Sequence, residues 1–517
     1  MMAYLPDVLY RAEQVRQLDQ MAIQSFAIPG YTLMQRAGQA AFDVIREHWP
    51  AAERILVACG GGNNGGDGYV IAWLAKQAGL DVSLLQVTRA EHISGDADLA
   101  RQDWLAAGGS EISWQDAEHF SVLLDNNDLL VDALLGTGLL RDVSGDWKTL
   151  IDLLNPHRIP VLAVDIPSGL NADSGVVMGS GVRADRTISY VGLKQGMFTA
   201  AGVEFCGQIL FDDLQIPAEV YDTVKPAATR LDANNACRLV PAARRASDHK
   251  GKFGHVLVVG GGPGMPGAAL MAALAAARSG AGLVSIATHP DHAVQLVSRC
   301  PELMCHGVQS ATELGKLLER ATVVVLGPGL GRSAWASDLF ARVLDTDLPL
   351  VVDADGLNLL AREKATRDNW VLTPHPGEAA RLLASSTAEV QHDRFAAARQ
   401  IASDYQAVCV LKGSGSLIHD LDDRVAISTS GNPGMATGGM GDILGGIIAA
   451  LTAQGLDLAN AARLGVWLHG RAADMEAAAG GERGMLATDL LPWIRSLIND
   501  CGLQTESEVD SDGDLPV

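Results

Sequence analysis

The stretch 55-ILVACGGGNNGGDGYVIAWLAKQ-77 decides the fold of the first half of this chain. A short apolar run leads through a glycine-rich turn into a segment of helical length, which predicts the opening of a βαβ unit. Backbone N–H groups and the positive end of the helix meet at such a turn and favour a bound phosphate. The sequence therefore predicts a phosphate-binding loop between the first strand and the next helix.

The same loop contains a GxGxxG pattern, but this match alone is a weak indication of a dehydrogenase. A dinucleotide-binding dehydrogenase also needs an acid at the end of its second strand to hold the ribose. The second predicted strand (82–87) is followed by Thr88 instead. The pattern thus favours phosphate binding without favouring hydride transfer.

Outward from this loop, apolar runs alternate with segments of helical length, which predicts an α/β protein with mostly parallel sheets. Two amphipathic helices are expected before the first strand, at 11–26 and 32–48. A first series of strands is expected at 55–59, 82–87, 128–132, 161–165, 187–191 and 208–212. A second series is expected at 255–260, 283–287, 322–326, 349–353, 370–373, 407–411 and 424–428.

The two series predict two domains, because 517 residues exceed what one hydrophobic core usually holds. Between them, 216–250 contains three prolines and little periodicity. We therefore expect domains at 1–228 and 229–502. The remaining residues, 503–517, are acidic and are expected to form a disordered tail.

The net charge of −22 argues against nucleic acid or an anionic membrane as a partner. Phosphates would then be bound through backbone amides, helix N-termini or a bound cation. No apolar stretch reaches membrane-spanning length, and no signal peptide is visible. Seven scattered cysteines without a CxxC pair are read as free thiols in a reducing compartment, so a cytoplasmic location is expected.

Two aspartates end predicted strands of the first series, where parallel sheets bind their ligands. Asp132 opens 132-DALLGTGL-139, and Asp165 stands in 164-VDIPSGL-170. Either aspartate could merely cap the loop that follows it. Two aspartates beside the glycine-rich turn that contains Asn63 and Asn64 favour a functional site. Lys194 follows the next strand and is equally compatible with assisting there or with a solvated loop position.

NNGGDG, DALLGTGL and VDIPSGL in this order resemble the NAD(P)HX epimerase domain, a Rossmann-like three-layer α/β sandwich, over about 10–225. The resemblance implies that Asp165 acts at the substrate as acid or base. A potassium ion would be held by Asn64, Asp132 and Ser168. The implied dinucleotide contacts are Asn63, Asn64, Gly65, Gly66, Asp67, Gly136, Thr137, Gly138, Leu139, Leu140, Arg141 and Asp142.

In the second half, glycine-rich loops recur at the ends of predicted strands, and the most specific is 432-NPGMATGGMGD-442 before an apolar helix. Glycines at a helix start can form an anion site, and Asp442 in the first turn could remove a proton from a substrate hydroxyl. The alternative is a carboxylate that only complements the helix dipole, worth roughly 0.3–1 kcal/mol. A positioned carboxylate would suffice here without a strong pKa shift.

GGMGD resembles the ribokinase-like α/β fold, and together with GPGLG (327–331), TPHPGE (373–378) and KGSGS (412–416) it resembles the NAD(P)HX dehydratase over about 235–500. That resemblance implies ADP as phosphoryl donor with Mg²⁺. Hydrate contacts would be Ala268, Gly331, His375 and Asp442. Nucleotide contacts would be Lys412, Gly413, Ser414, Gly415, Ser416 and Gly441.

The expected function is therefore metabolite repair of NADHX and NADPHX by a homo-oligomeric bifunctional isomerase and lyase. One alternative is a ribokinase-like small-molecule kinase with a fused regulatory domain, since the GxGD loop is shared with such kinases. Another is a non-catalytic nucleotide sensor, which two carboxylates beside two glycine loops disfavour. In the first loop, 263-PGMP-266 stands where many relatives carry a Ser and a Tyr, so the edge of the hydrate pocket departs from the family pattern.

Overall fold

The computed structural model describes residues 5–88 and 90–511, with the backbone alone at Ala90 and 502–511. The chain clusters into two compact units that divide between Thr229 and Arg230. Within the described residues, no helix is long and apolar enough to cross a lipid bilayer.

The first unit contains a seven-stranded parallel sheet in the order β4-β3-β2-β5-β6-β7-β8. β1 pairs antiparallel with β9 at Ala228 and Thr229. The strands are β1 (Val8–Leu9), β2 (Arg54–Cys59), β3 (Asp81–Gln86), β4 (Ile112–Ser113), β5 (Leu129–Ala133), β6 (Val161–Val164), β7 (Arg186–Tyr190), β8 (Gln208–Asp212) and β9 (Ala228–Leu231). The helices are α1 (Ala12–Ser25), α2 (Gly30–His48), α3 (Asn63–Gln77), α4 (Asp96–Ala106), α5 (Ala117–Asp125), α6 (Gly145–Leu154) and α7 (Gly202–Phe205).

Side-chain alternation along the strands builds two cores, one on each face of this sheet. Ile55 and Val57 of β2 pack in a cluster with buried residues of α1 to α4. Leu56 and Ala58 point the other way and pack with residues of α5 and α6. The result is the expected three-layer sandwich, and the sheet order reverses between β2 and β5.

Nine strands of the second unit follow the order β18-β17-β16-β15-β14-β13-β10-β11-β12, parallel except for the hairpins at β16-β17-β18. They are β10 (His255–Val259), β11 (Leu283–Thr288), β12 (Met304–Gly307), β13 (Val323–Leu326), β14 (Leu350–Val352), β15 (Trp370–Leu372), β16 (Val408–Leu411), β17 (Ser416–His419) and β18 (Val425–Ser428). The helices are α8 (Ala233–Cys237), α9 (Pro266–Arg278), α10 (Ala293–Arg299), α11 (Ala311–Leu318), α12 (Ala334–Leu344), α13 (Asp355–Glu363), α14 (Pro376–Leu382), α15 (Thr387–His392), α16 (Arg394–Tyr405), α17 (Met440–Ala453), α18 (Leu458–Gly480) and α19 (Leu490–Ser511).

The apolar helix α17 lies in the core of this unit, packed with α9, α18 and the valines of β10 and β13. Glycine permits its close approach to α9, because a Cβ at Gly446 would stand 2.1 Å from the carbonyl oxygen of Ala272. The burial of α17 fixes the position of its first turn, which carries Asp442.

Two features of this unit differ from expectation. Cys237 of α8 and Cys501 of α19 form a disulfide, so reading all seven cysteines as free thiols is wrong for this pair. Their separation of 264 residues gave no spacing signal. In addition, the backbone of α19 continues to Ser511 and thus enters the acidic segment that we expected to be disordered. Residues 512–517 lie outside the described residues.

Candidate active sites

The first site is a cavity of about 810 Å³ at the carboxyl edge of the sheet in the first unit. The loops after β2 and β5 meet there because the chain leads from these parallel neighbours to opposite sides of the sheet, to β3 and to β6. This is the usual ligand position in open α/β sheets. The residues we expected at the site that line the cavity are Asn63, Asn64, Asp67, Gly136, Thr137, Gly138, Leu139, Leu140, Arg141 and Asp165.

The glycine loop brings the start of α3 against this edge. α3 begins at Asn63, directly after the strand-like Gly62, so the positive end of a 15-residue helix lies at the cavity. Gly65 is packed inward, since a Cβ there would stand 2.1 Å from the carbonyl oxygen of Gly60. Gly66 packs against the side chain of Met34 in the same way. These two glycines therefore shape the loop from within, and Asp142 is exposed beyond the cavity-lining residues.

Asp165 follows β6 in the left-handed backbone region, with φ of +67°. Such a conformation is uncommon for a residue with a side chain and is often found at functional sites. Its carboxylate is paired with the ammonium of Lys194, whose side chain is fully buried. Lys194 also donates to Ser189 Oγ at 2.9 Å and to the carbonyl oxygen of Tyr190 at 3.3 Å. Of the two readings of Lys194, the structure favours assistance at the site over a solvated loop lysine.

Asp132, Ser168 and Asn64 form a buried polar group beside the cavity. Both oxygens of Asp132 accept bonds from Ser168, from its amide at 2.8 Å and from its hydroxyl at 2.6 Å. Burial raises the pKa of Asp132 to about 6 against the opposing effect of these bonds. The amide oxygen and nitrogen of Asn64 are buried without a hydrogen-bond partner. A buried amide without a partner on the cavity wall points to a polar ligand at this position.

Three further polar residues, Asp19, Tyr190 and Asp67, line this cavity. The sequence motifs missed Asp19 and Tyr190, and they assigned Asp67 only as a dinucleotide contact. Asp19 enters the cavity from α1, and Tyr190 from the end of β7. The pKa of Asp19 is raised to about 7, first by burial and then by the charge of Asp165. Burial, with the charges of Asp165 and Asp19, also raises the pKa of Asp67. Strand-end position could have pointed to Tyr190, whereas nothing in the helical pattern of α1 marks Asp19.

The second site gathers strand-end loops of the second unit around Lys412, the residue after β16. Its ammonium lies 2.7 Å from Asp353 Oδ1 and 3.8 Å from Glu378 Oε2. Both carboxylates are buried, at 2% and 6% side-chain exposure. Burial alone would lower the pKa of Lys412, but the two carboxylates outweigh it and raise the pKa. Lys412 is therefore a charged, firmly held group.

Asp442, in the first turn of α17, belongs to the same cluster. Its pKa is raised to about 7 by burial and by the charge of Asp353, while Lys412 partly offsets the rise. The proposed chemistry did not require such a shift, and the sequence motif did not reveal the neighbouring acids that contribute to it. The adjacent Gly441 is packed closely, since a Cβ there would lie 2.9 Å from Asp353 Oδ2 and 3.1 Å from Lys412 Nζ.

The other expected contacts lie in loops of the same unit. The ring of His375 caps α14, with Nδ1 accepting from the amides of Gly377 at 3.0 Å and Glu378 at 3.3 Å. The amide of Gly331 donates to Asp355 Oδ2 at 2.9 Å. Ala268 lies in the first turn of α9. It packs against the GPGLG loop, because a Cβ added at Gly329 would stand 3.0 Å from the Cβ of Ala268.

The KGSGS loop is held from beneath by a buried arginine. Arg394 of α16, 1% exposed, donates to the carbonyl oxygens of Leu411 at 3.2 Å and Gly415 at 3.3 Å. At the loop's other end, Ser416 Oγ accepts from the amide of Gly413 at 3.2 Å. Asp353 and Arg394 were not predicted as part of the site, although Asp353 ends a predicted strand just as Asp132 and Asp165 do.

Each unit thus carries a glycine loop, a helix N-terminus and a lysine-paired carboxylate at the carboxyl edge of a parallel sheet. This combination defines a nucleotide-binding α/β enzyme with two separate sites. Residues 30–196 match the family described as the YjeF-related protein N-terminus. Residues 256–495 match the family described as NAD(P)H-hydrate dehydratase.

Curated relatives match over nearly the whole chain. The bifunctional NAD(P)H-hydrate repair enzyme of Coxiella burnetii is 48% identical over 95% of this chain and 99% of its own. That of Escherichia coli is 42% identical, covering 96% and 95%. A solved ribokinase-like superfamily protein from Enterococcus faecalis covers 53% of this chain and 96% of its own, with 29% identity and a TM-score of 0.50. The chain belongs to the family of bifunctional NAD(P)H-hydrate repair enzymes.

Proposed function

We infer that this protein repairs hydrated NADH and NADPH, epimerising the R and S forms in its first unit and dehydrating the S form in its second. The observation that carries this inference is the presence in one chain of two complete carboxylate–glycine loop sites, each within a segment matched by one of the two family models. The two activities complement each other, because the first converts the epimer that the second does not consume.

For the epimerase, we propose that the dinucleotide lies across Asn63–Asp67 and Gly136–Asp142, with its phosphates near the start of α3. Asp165, held by Lys194, would exchange a proton with the substrate carbon's hydroxyl group, a role typically worth about 10²–10⁴-fold in rate. The exposed side chain of Leu140, at 88% exposure on the cavity wall, is available to cover the bound ring.

A potassium ion fits the group Asn64, Asp132 and Ser168. The orphan amide oxygen of Asn64 supplies an unused ligand, and carboxylate and hydroxyl oxygens suit a hard cation. When bound, the ion would offset the repulsion between this acidic site and pyrophosphate. Epimerisation should then be faster in potassium than in choline salts at equal ionic strength, and Asn64→Ala should remove the difference.

For the dehydratase, we propose that Ala268, Gly331, His375 and Asp442 contact the hydrate, while Lys412–Ser416 and Gly441 hold ADP. Asp442 takes the proton of the hydrate hydroxyl. The hydroxyl oxygen bonds to the β-phosphorus of ADP, and AMP leaves. The phosphorylated hydrate then loses phosphate and a proton, which gives NAD(P)H.

Mg²⁺ fits this second site only together with the nucleotide. Among the described residues, no group of three His, Cys, Asp or Glu side chains is arranged to hold a metal alone. Mg²⁺ commonly uses one or two carboxylates plus phosphate oxygens, which Asp353, Glu378 and Asp442 can supply with bound ADP. The ion would neutralise charge on the transferred phosphoryl group.

The test is to incubate the protein with mixed NADHX epimers and ADP and to follow the return of absorbance near 340 nm. Asp442→Ala should abolish this return and leave epimer exchange intact, whereas Asp165→Ala should do the reverse. Full-rate NADH recovery by Asp442→Ala would contradict its assignment. A stable phosphorylated product in place of NADH would favour the small-molecule kinase instead.

We also propose that the protein is cytoplasmic and assembles with copies of itself. Five of the seven cysteines remain free, which fits a reducing compartment, and the bonded Cys237 and Cys501 are buried and thus shielded from cellular reductants. Assembly is supported by exposed apolar side chains around α10 and the edge strand β12, namely Val294, Val297 and Met304. Light scattering during size-exclusion chromatography would test assembly, and Val294→Glu should then favour smaller species.

A further inference from the structure

The cavity of the first unit contains a carboxylate, Asp19, that the assignments above leave without a role. Its helix is firmly placed, because Val15, Leu18 and Ala22 on the neighbouring positions of α1 are buried in the core. The segment before the helix is also fixed, since Tyr10 donates its amide to the carbonyl oxygen of Leu193 at 2.8 Å. Asp19 is therefore held close to the segment that carries Lys194.

Polar groups around Asp19 lack partners within the protein. Among the described residues, neither Asp19 nor Asp67 makes a side-chain hydrogen bond or ion pair. The hydroxyl of Tyr190 is also buried without a partner, on a side chain that is 5% exposed. All three line the same cavity as Asp165. A buried, unpartnered hydroxyl in a cavity that also contains two unpartnered acids indicates that a polar ligand completes their bonding.

We propose that Asp19 is a second catalytic acid–base group of the epimerase, acting from the α1 wall of the cavity while the Asp165–Lys194 pair acts from the sheet edge. This inference rests on the proposed assignment of epimerisation to this cavity. Inverting one carbon requires that the hydroxyl leave one face of the ring and return to the other. Two proton-transfer groups on different walls can serve both faces of the ring.

The step balances with water as the only other reactant. One group of the pair protonates the departing hydroxyl, the C–O bond breaks, and the electron pair of the ring nitrogen forms a C=N bond. A water molecule then adds to the opposite face, and the second group takes its proton. One proton is thereby moved from one carboxyl to the other, and exchange with water restores the starting distribution. The reverse reaction uses the same groups with their roles exchanged.

Electrostatics favour Asp19 as the carboxyl group that carries a proton near neutral pH. The pKa of Asp19 is raised to about 7 by burial and by the charge of Asp165, while the Lys194 ammonium acts in the opposite direction. Because Asp165 holds Lys194 as its ion-pair partner, the proton has a site on Asp19. The titratable groups that share the cavity with Asp19 are Arg16, Asp67, Asp96, Arg141, Asp165 and Tyr190, and Lys194 and Tyr221 interact with it from the neighbouring segments.

The experiment measures R–S exchange of NADPHX by the full-length protein between pH 5.5 and 9. Asp19→Asn should lower kcat about 100- to 1000-fold with KM within about threefold. The rate of the unchanged protein should fall above pH 7, because Asp19 loses its proton there. Asp19→Asn should not show this fall, because an amide cannot hold that proton. Asp43→Asn, an exposed carboxylate of the neighbouring helix α2 that does not line the cavity, is the matched control and should behave like the unchanged protein.

Two further readouts keep the outcomes separate. Asp19→Glu retains a carboxyl group, so it should keep the fall in rate above pH 7 with a reduced kcat, even if the asparagine variant proves unstable. The inference is overturned if Asp19→Asn keeps kcat within about threefold, or if Asp19→Glu loses the alkaline fall while remaining folded. If the unchanged protein itself fails to exchange the epimers, the proposed epimerase function fails instead.

Discussion

Two ion pairs of equal length but different burial allow a sharp test of the second site. Lys412 Nζ lies 2.7 Å from Asp353 Oδ1, and Lys252 Nζ lies 2.7 Å from Asp248 Oδ1. The first pair is 20% and 2% exposed, whereas the lysine of the second is 52% exposed. We predict that Lys412→Met strongly destabilises the second unit and that Lys252→Met leaves its stability unchanged.

The magnitude follows from what each substitution leaves behind. Without Lys412, the buried carboxylates of Asp353 and Glu378 lose their counter-charge, and removing one partner of a buried pair costs about 3–5 kcal/mol. The carboxylates then bind protons more readily in the folded than in the unfolded state. The folded protein thus gains stability as the pH falls, by up to about 1.4 kcal/mol per pH unit for each proton bound. The deficit should be largest near pH 8 and should shrink towards pH 6.

Native-state hydrogen exchange of the full-length chain can measure this for the second unit alone. A loss of about 3 kcal/mol corresponds to exchange about 150-fold faster in the most protected peptides of β14 and β16. Peptides of the first unit serve as an internal reference. The reasoning is refuted if Lys412→Met and Lys252→Met change protection equally, or if the deficit of Lys412→Met grows as the pH is lowered.

Three further results are expected. Gly65→Ala should lower the melting temperature of the first unit, because the new Cβ would stand 2.1 Å from a backbone oxygen of its own loop; Gly62→Ala, with nothing within 4 Å, should not. NADH recovery should decline below about pH 7, since Asp442 acts as a base only when ionised and its pKa is raised to about 7. Reductant should destabilise the second unit by about 2–4 kcal/mol through loss of the Cys237–Cys501 bond, and it should have no such effect on Cys501→Ser.

Much of the fold could be predicted from the sequence, because buried parallel strands appear as short apolar runs between helical segments. The expected strands of both series are present within one or two residues. The strands that were missed lack this signal. β1 and β4 have two residues each, and β9 lies in the proline-containing segment expected to join the domains. β12 is an edge strand with mostly exposed side chains, and β17 begins inside the KGSGS loop.

The sites could be predicted only where a motif carried them. Glycine loops and strand-end acids pointed to Asp165 and Asp442, because the carboxyl ends of parallel strands meet at one edge. Asp19 could not be found in this way, since it stands on a helix far from the motifs and reaches the cavity through tertiary packing. The raised pKa of Asp442 was equally invisible, because its causes are burial in the folded unit and the charge of Asp353, which is 89 residues away in sequence.

The lysines of the two sites are bound to carboxylates rather than left as isolated positive charges. Lys194 is paired with Asp165, and Lys412 with Asp353. Each lysine therefore adds little net positive charge to attract a phosphate, and its main effect is to hold a carboxylate in place beside the reacting group. In a chain with a net charge of −22, phosphate binding then depends on backbone amides and helix N-termini, with cations as auxiliaries.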